Sequence, residues 1–309
     1  GAMTQMIVEA TAPYTSSRNR EEIAALHARY PFIETGSIGR SVMGREILYL
    51  KIGNGGTEVC YSASFHANES ITTPILLRFA EEYGMAYESG GTILGVSAKE
   101  LYDRYTLFLI PMVNPDGVDL VNGALREGNY YKQAQSIAAD YPAIPFPQGW
   151  KANIEGIDLN LQFPAGWENA RTIKFAQGYT DPAPRDYVGS APLVAPESVA
   201  VYEFTRAHEF ALILAYHTQG EVIYWKYLDY DPPRSYEIAL YFGEVSGYAV
   251  ETTPAESGYA GYKDWFIQDY DRPGYTIEVG LGENPLPMTQ FEAIYTVNRG
   301  ILLGGMTQV

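Results

Sequence analysis

Two histidines and one glutamate in this 309-residue chain have the types and spacing of a divalent-metal site. His66 follows a short apolar run, Glu69 comes three positions later where a helix is predicted to begin, and His217 follows a second apolar run. In a mostly parallel sheet, both strand ends lie at one edge, so the three side chains can hold one Zn²⁺ ion and leave a fourth position for water. Spacing alone equally allows two hydrogen-bonded histidines at strand ends, because a His-x-x-Glu pair occurs easily by chance.

Glu278 is a second carboxylate in an unusual place. It lies in the middle of the apolar run at residues 275–279, where a buried charge without a partner is costly. A salt bridge would explain it, and so would a role as general base beside a metal-activated water. Both explanations require a cation close to Glu278.

Apolar periodicity predicts the elements that position these residues. Short apolar runs indicate strands at residues 47–52, 59–65, 105–110, 210–215 and 275–279. Helical spacing of apolar residues indicates helices at residues 19–30, 74–86, 196–209, 233–245 and 289–303. Asn19 with Glu22, and Thr289 with Glu292, have the spacing of capping boxes at two of these helices.

The alternation of strands and helices favours the α/β class. We expect a single domain over residues 4–309, with a mixed, mostly parallel central sheet and helices on both faces. Residues 1–3 read as the remnant of an expression tag. The connections at residues 119–149 and 165–195 are long and rich in Gly, Pro, Tyr and Asn, so we expect the substrate contacts there.

Composition limits the partners. The formal net charge is -16, from 37 acidic and 21 basic residues, which disfavours nucleic acid and anionic wall polymers as partners. The single cysteine, Cys60, lies in an apolar run and reads as a buried small side chain. No segment has the length and apolarity of a membrane span, no leader opens the sequence, and no feature indicates an obligate protein partner. We therefore expect a cytoplasmic protein, with an exported protein whose leader has been removed as the alternative.

A set of short motifs resembles the zinc carboxypeptidase superfamily of carboxypeptidase A type. The motifs occur in the family's order through most of the chain: Tyr30-Pro31-Phe32, Ile38-Gly39-Arg40-Ser41, His66-Ala67-Asn68-Glu69, Asn114-Pro115-Asp116-Gly117, Gly156-Ile157-Asp158-Leu159-Asn160, His217 and Thr276-Ile277-Glu278. The resemblance implies a mixed sheet between helices. It also implies one zinc ion held by His66, Glu69 and His217, the His₂Glu ligand set for which carboxypeptidase A is a standard example.

The resemblance also implies roles for three further residues. Glu278 matches the general base, and Asn160 matches an asparagine that binds the substrate carboxylate. Nine positions before Asn160, where the family usually has the arginine that polarises the scissile carbonyl, this chain has Lys151. The positive charge is kept, but the bidentate fork of a guanidinium is lost.

Other departures bear on the substrate. The family's exopeptidases hold a terminal carboxylate with an arginine directly after the asparagine, and here that residue is Leu161. The arginine often found inside the His-x-x-Glu motif is Asn68. Loss of both guanidinium clamps argues against ordinary removal of a C-terminal residue. The tyrosine that exopeptidases bring to the active site matches Tyr259 or Tyr262, in a loop where ordinary aromatic residues are equally common.

The sequences at residues 150–153 and 158–165 resemble the branch that contains γ-D-glutamyl-L-diamino acid endopeptidase I. That branch cleaves peptidoglycan stem peptides between γ-D-glutamate and the diamino acid, so we expect this reaction on a peptidoglycan-derived peptide. Two alternatives remain. One is a carboxypeptidase that holds the terminal carboxylate with another base: Arg126, Arg171 or Arg185. The other is a relative that binds muropeptides without cleaving them.

Overall fold

The computed structural model describes residues 5–309, so the expected tag remnant at residues 1–3 lies outside the described residues. The strands are β1 (Glu34–Arg40), β2 (Glu46–Gly53), β3 (Thr57–Ala63), β4 (Thr92–Ile93), β5 (Val96–Ser97), β6 (Tyr105–Ile110), β7 (Phe210–Thr218), β8 (Val222–Tyr224), β9 (Ala249–Glu251) and β10 (Gly274–Val279). Eight of them form one sheet in the order β1-β2-β6-β3-β7-β10-β8-β9, and β4 pairs with β5 separately.

The centre of the sheet is parallel. Strands β6, β3, β7 and β10 run in the same direction, β2 and β8 flank them antiparallel, β1 is antiparallel to β2, and β9 is parallel to β8. All six residues of β6 are buried, as a continuous apolar run in a covered strand predicts. The predicted mixed, mostly parallel sheet is confirmed.

Helices cover both faces of this sheet. They are α1 (Ser16–Arg29), α2 (Thr72–Ser89), α3 (Ala98–Arg104), α4 (Pro115–Val121), α5 (Gly128–Ala139), α6 (Trp167–Ala176), α7 (Pro196–Arg206), α8 (Ser235–Ser246), α9 (Tyr262–Tyr270) and α10 (Phe291–Thr307). Side chains alternate along β3: Val59 and Tyr61 pack into the cluster containing residues of α2 and α10, and Cys60 packs with residues of α7 and α9. The expected burial of Cys60 is confirmed.

Two helix starts differ from the predicted capping boxes. Helix α1 begins earlier than predicted, and Thr15 caps it by accepting a hydrogen bond from the Arg18 nitrogen. Asn19 and Glu22 are buried inside α1 instead, where Glu22 accepts a bond from the Tyr14 hydroxyl. Because α1 already begins at Ser16, Asn19 lies one turn inside the helix, where its backbone nitrogen donates to the oxygen of Thr15.

The second difference lies at the final helix. Helix α10 begins at Phe291, two residues after the predicted cap Thr289, which belongs to the short 3₁₀ turn Met288–Gln290. Glu292 forms a two-pronged ion pair with Arg78 of α2 instead of closing a box. Within residues 5–309, no helix combines the length and the apolarity that a bilayer crossing requires.

The buried carboxylate of Glu197 is hydrogen-bonded to the loop around Asn153, which leads to the candidate site. Glu197, at the start of α7, accepts hydrogen bonds from the side chain of Asn153 (3.1 Å) and from the backbone nitrogen of Val42 (3.3 Å). The Asn153 side chain in turn accepts bonds from two backbone nitrogens of its own loop, at Glu155 and Ile157. Burial, aided by the charge of Asp116, raises the pKa of Glu197 from 4.5 to about 7.

We expect Glu197→Gln to flatten part of the pH dependence of stability. Because the pKa is higher in the folded chain than in the unfolded one, the folded state binds more protons between pH 4.5 and about 7. The free energy of unfolding of the wild type therefore falls as pH rises through this window, by up to roughly 3 kcal/mol from this group. Urea unfolding of both proteins at several pH values measures the difference. Equal pH slopes would contradict the assignment.

Candidate metal centre and active site

The three predicted metal ligands meet at the carboxyl edge of the parallel strands. His66 follows β3, and the chain turns at once into the 3₁₀ helix Ala67–Glu69, which carries Glu69. His217 lies near the end of β7. One ligand atom from each of the three residues lies within 4.8 Å of the others. The structure therefore brings together residues that are separated by up to 151 positions in the sequence.

The register of the sheet places Glu278 beside His217. Strand β10 is parallel to β7, and Glu278 is the register partner of His217. Tyr275, Ile277 and Val279 pack into the core on one face of the sheet. Glu278 therefore points to the opposite face, the one that carries the metal ligands. The predicted general base thus borders the same cavity as the ligands.

Hydrogen bonds hold the ligand side chains in place. His66 Nδ1 lies 2.9 Å from Glu69 Oε2, and His217 Nδ1 lies 3.3 Å from Glu69 Oε1. The backbone nitrogen of Thr218 donates to Glu69 Oε1 at 2.9 Å. On the far side of the first imidazole, His66 Nε2 lies 2.9 Å from Asp158 Oδ1. A carboxylate on the second nitrogen fixes the orientation of a metal-binding imidazole.

No role for Asp158 follows from the sequence patterns alone. It stands inside the quoted Gly156–Asn160 motif, so its position two residues before Asn160 was visible. What spacing did not show is its contact with His66 across 92 positions of sequence. Burial alone would raise the pKa of Asp158, but the charge of His66 and three hydrogen bonds outweigh burial and lower it.

The donor set fits one Zn²⁺ ion. Two imidazoles and one carboxylate are the ligands of open, four-coordinate zinc sites. Glu278 Oε2 is buried and has no hydrogen-bond partner within residues 5–309, as a group facing a cation would be. Burial lowers the pKa of His217, which favours the neutral imidazole. Burial also acts to lower the pKa of His66, but Asp158 and Glu69 raise it to about 10, so a metal ion must displace that proton.

Electrostatics around the site separate the two glutamates. Burial would raise the pKa of Glu69, yet the charges of Lys151 and His66 outweigh burial and hold it well below its ordinary value. Burial and the charge of Glu69 raise the pKa of Glu278 well above its ordinary value. The pKa values of the two carboxyl groups are thus moved in opposite directions. A lowered pKa suits Glu69 as a permanently charged metal ligand, and a raised pKa suits Glu278 as a proton acceptor.

Lys151 reaches the metal ligands. Its Nζ donates to Glu69 Oε2 at 2.6 Å and lies 3.4 Å from Asn68 Oδ1. Its backbone oxygen accepts a bond from the nitrogen of Ala67, next to His66. The ammonium group thus lies in the cavity where a polarising cation is expected, and its catalytic role stays a prediction.

The predicted substrate-binding residues lie in three different settings. Asn160 lines the cavity and is oriented by the Tyr262 nitrogen, which donates to its Oδ1 at 3.0 Å. Leu161 also borders the cavity, and it is buried in an apolar cluster with Trp167, Ala170, Val188 and Ala260. Tyr259 lies outside the lining of this cavity and borders a smaller one beside it. The substrate-binding roles of all three stay predictions.

The structure also separates the alternative basic residues. Arg185 lines the cavity, whose volume is about 530 Å³. Arg126 is exposed and donates to the backbone oxygen of Gly123, and Arg171 is exposed with its guanidinium 4.1 Å from the Phe175 ring centroid. Of the two long connections, residues 165–195 supply Lys174, Gln177, Arg185 and Asp186 to the cavity. Residues 119–149 supply none within the described chain.

Comparison with known proteins identifies the family. A family model described as zinc carboxypeptidase matches residues 20–299. This chain belongs to the zinc carboxypeptidase family. It is 46% identical over 305 residues to γ-D-glutamyl-L-diamino acid endopeptidase 1 of Lysinibacillus sphaericus, covering 98% of this chain and 75% of that protein.

Solved structures agree on the fold of this zinc carboxypeptidase. Bovine thrombin-activatable fibrinolysis inhibitor, in complex with tick carboxypeptidase inhibitor, matches with a TM-score of 0.71 at 17% identity, over 97% of this chain and 98% of that one. Carboxypeptidase A from Helicoverpa armigera matches with a TM-score of 0.69 at 18% identity, over 98% and 75%. The predicted family, fold, peptidase class and zinc cofactor are confirmed.

We expect Asp158→Asn to weaken zinc binding about 10- to 100-fold, because the amide no longer fixes the His66 imidazole as the carboxylate does. Competition with a chromophoric chelator measures the affinity. Asp181→Asn is the matched control, since Asp181 is an exposed acid near the same loop. Equal zinc affinities of the two variants would show that the contact with His66 does not support the metal.

Proposed function

We propose that this zinc peptidase hydrolyses the γ-D-glutamyl-L-diamino acid amide bond of peptidoglycan stem peptides. The observation that carries the proposal is its 46% identity, over 98% of its length, to a protein named for this activity. The matched region covers 98% of the chain and so spans the site, with the metal ligands, Glu278 and Lys151.

The surroundings of Leu161 support an endopeptidase over a carboxypeptidase. The resemblance places an arginine clamp of exopeptidases at this position, and here the side chain is apolar and packed among apolar neighbours. At the other clamp position, Asn68 contacts the Lys151 ammonium and the backbone oxygen of Gln148. Neither residue offers the bidentate guanidinium that best recognises a terminal carboxylate.

The chemistry follows from the positions of the chain's own groups. When zinc is bound, it supplies a Lewis acid and makes water acidic near neutral pH. Glu278, with its raised pKa, accepts the proton of the attacking water and then delivers it to the departing amine of the diamino acid. Lys151 stabilises the negative charge that develops on the carbonyl oxygen, and Asn160 orients the peptide.

A carboxypeptidase remains a second candidate because one specific observation favours it. Arg185 lines the cavity and offers a guanidinium that a terminal carboxylate would fit. The intact ligand set and the buried base argue against the third alternative, a muropeptide-binding protein without activity.

The net charge of the chain bears on the size of its peptidoglycan substrate and on where in the cell the protein acts. A protein with a net charge of -16 is repelled by intact anionic wall polymers, so small soluble muropeptides suit it better. A cytoplasmic location is consistent with such a substrate and stays a proposal. Cell fractionation with an antibody against the chain tests it.

We expect Glu278→Gln to keep one equivalent of zinc and to lower kcat by about 10²- to 10⁴-fold, because the amide cannot accept the proton of the attacking water. Metal analysis and turnover of a γ-D-glutamyl-L-lysine stem peptide measure both quantities. Glu283→Gln, at an exposed acid four residues beyond β10, is the control and should keep full turnover. Undiminished activity of Glu278→Gln would remove Glu278 from the mechanism.

The reaction itself is tested by product analysis with purified zinc-loaded protein. We expect mass spectrometry to show the free diamino acid end and the γ-D-glutamyl end of the stem peptide. An N-blocked peptide of ordinary α-linked residues should remain intact. Cleavage of the ordinary peptide together with an intact stem peptide would overturn the proposed function in favour of a carboxypeptidase.

A further inference from the structure

One wall of the cavity carries a cluster of charged side chains. Asp186 lies between two cations: its Oδ2 accepts from Arg185 Nε at 2.6 Å, and its Oδ1 lies 2.8 Å from Lys174 Nζ. All three residues line the cavity that holds the metal ligands. Two cations thus share the Asp186 carboxylate, and the nearby Asp158 is itself paired with His66.

The backbone around Arg185 is fixed to the loop that carries the catalytic groups. The oxygen of Pro184 accepts bonds from the nitrogens of Lys151 (2.8 Å) and Ala152 (3.0 Å). The nitrogen of Asp186 donates to Asp158 Oδ2 at 3.2 Å, and the other oxygen of Asp158 holds His66. The backbone on both sides of Arg185 is therefore tied to the loop that carries Lys151 and Asp158.

The backbone of Asp186 adds to this constraint. Its φ is 66°, in the left-handed region that costs a non-glycine residue free energy. The side chain of Asp186 has both oxygens engaged by cations, and its nitrogen is engaged by Asp158. The surrounding contacts thus fix the conformation of the residue that orients Arg185.

The guanidinium of Arg185 has binding capacity left. Only Nε is engaged by Asp186, and the two terminal nitrogens have no hydrogen-bond partner among residues 5–309. The side chain is 42% exposed, whereas Lys174 is almost fully buried. Lys174 therefore neutralises Asp186, while Arg185 presents free donors to the cavity. Free donors of a guanidinium are suited to a carboxylate.

We propose that Arg185 binds a carboxylate of the substrate and so selects peptides with a free carboxylate beside the scissile amide. This inference rests on the proposed function. In a γ-D-glutamyl linkage the side-chain carboxyl forms the amide, so the α-carboxylate of the glutamyl residue stays free on one side. The diamino acid has its own α-carboxylate on the other side. Either one offers Arg185 the same chemistry.

The test compares Arg185→Ala with a matched control, Arg171→Ala. Arg171 is an exposed arginine on α6 outside the cavity lining, so both variants lose one positive charge. The substrates are γ-D-glutamyl-L-lysine, its glutamyl α-carboxamide and its lysyl α-carboxamide. We expect Arg185→Ala to lower kcat/KM on the first about 10- to 100-fold, mainly through KM, and Arg171→Ala to leave it unchanged.

The amide substrates show whether Arg185 acts through a carboxylate. Amidation of the carboxylate that Arg185 binds should lower kcat/KM of the wild type by a similar factor. The same amidation should lower kcat/KM of Arg185→Ala only slightly. The affected substrate identifies which carboxylate is bound. If Arg185→Ala loses kcat/KM but each amidation still lowers its kcat/KM by as much as in the wild type, Arg185 has a structural role and the inference is overturned. So would equal kinetics of the two alanine variants.

Further measurements separate a loss of substrate binding from damage to the site. Zinc content and thermal unfolding of each variant detect damage that is passed on through Asp158. If Arg185→Ala does not fold, Arg185→Lys replaces it; this variant keeps the charge without the guanidinium fork and should show an intermediate loss of kcat/KM. If the wild type does not cleave the peptide at all, the proposed function fails. Calorimetric titration of the uncleaved peptide into the wild type and the Arg185 variant then decides the inference, and equal affinities overturn it.

Discussion

The carboxylate of Glu69 can be buried at the end of the sheet only because cationic and hydrogen-bonding groups surround it. Lys151, the two imidazoles and the nitrogen of Thr218 all approach its two oxygens. A buried carboxylate without such partners would cost several kcal/mol. These partners come from three parts of the chain, the segment after β3, the end of β7 and the loop at residues 151–158, so all three must be assembled before this charge is accommodated.

That loop forms a second layer behind the metal ligands. Asp158 holds the outer nitrogen of His66, and Asn153 ties the loop to the buried Glu197 at the start of α7. The segment at residues 183–187 then pairs with the loop through backbone bonds. The metal ligands, Lys151 and the proposed carboxylate site are therefore joined by one hydrogen-bonded network, in which partial satisfaction of any buried member would be costly.

The sequence predicts the parts of this molecule that local patterns encode. The run at residues 105–110 matches β6, and the His-x-x-Glu pair follows a buried strand as expected. The predicted caps at Asn19 and Thr289 were wrong, because Glu22 and Glu292 have tertiary partners that local spacing does not reveal. The sequence does not reveal long-range proximity: the contact between His66 and Asp158, and the position of Arg185, but not Arg126 or Arg171, in the cavity lining.

The register between β7 and β10 fixes the position of Glu278 relative to His217. Neighbouring parallel strands lie about 4.8 Å apart, so the separation of His217 from Glu278 is set by backbone pairing, and a slip of one residue would turn Glu278 to the opposite face. Loop insertions leave such a spacing untouched. Changes in the loops that line the cavity can therefore alter which peptides fit without changing the distance between His217 and Glu278.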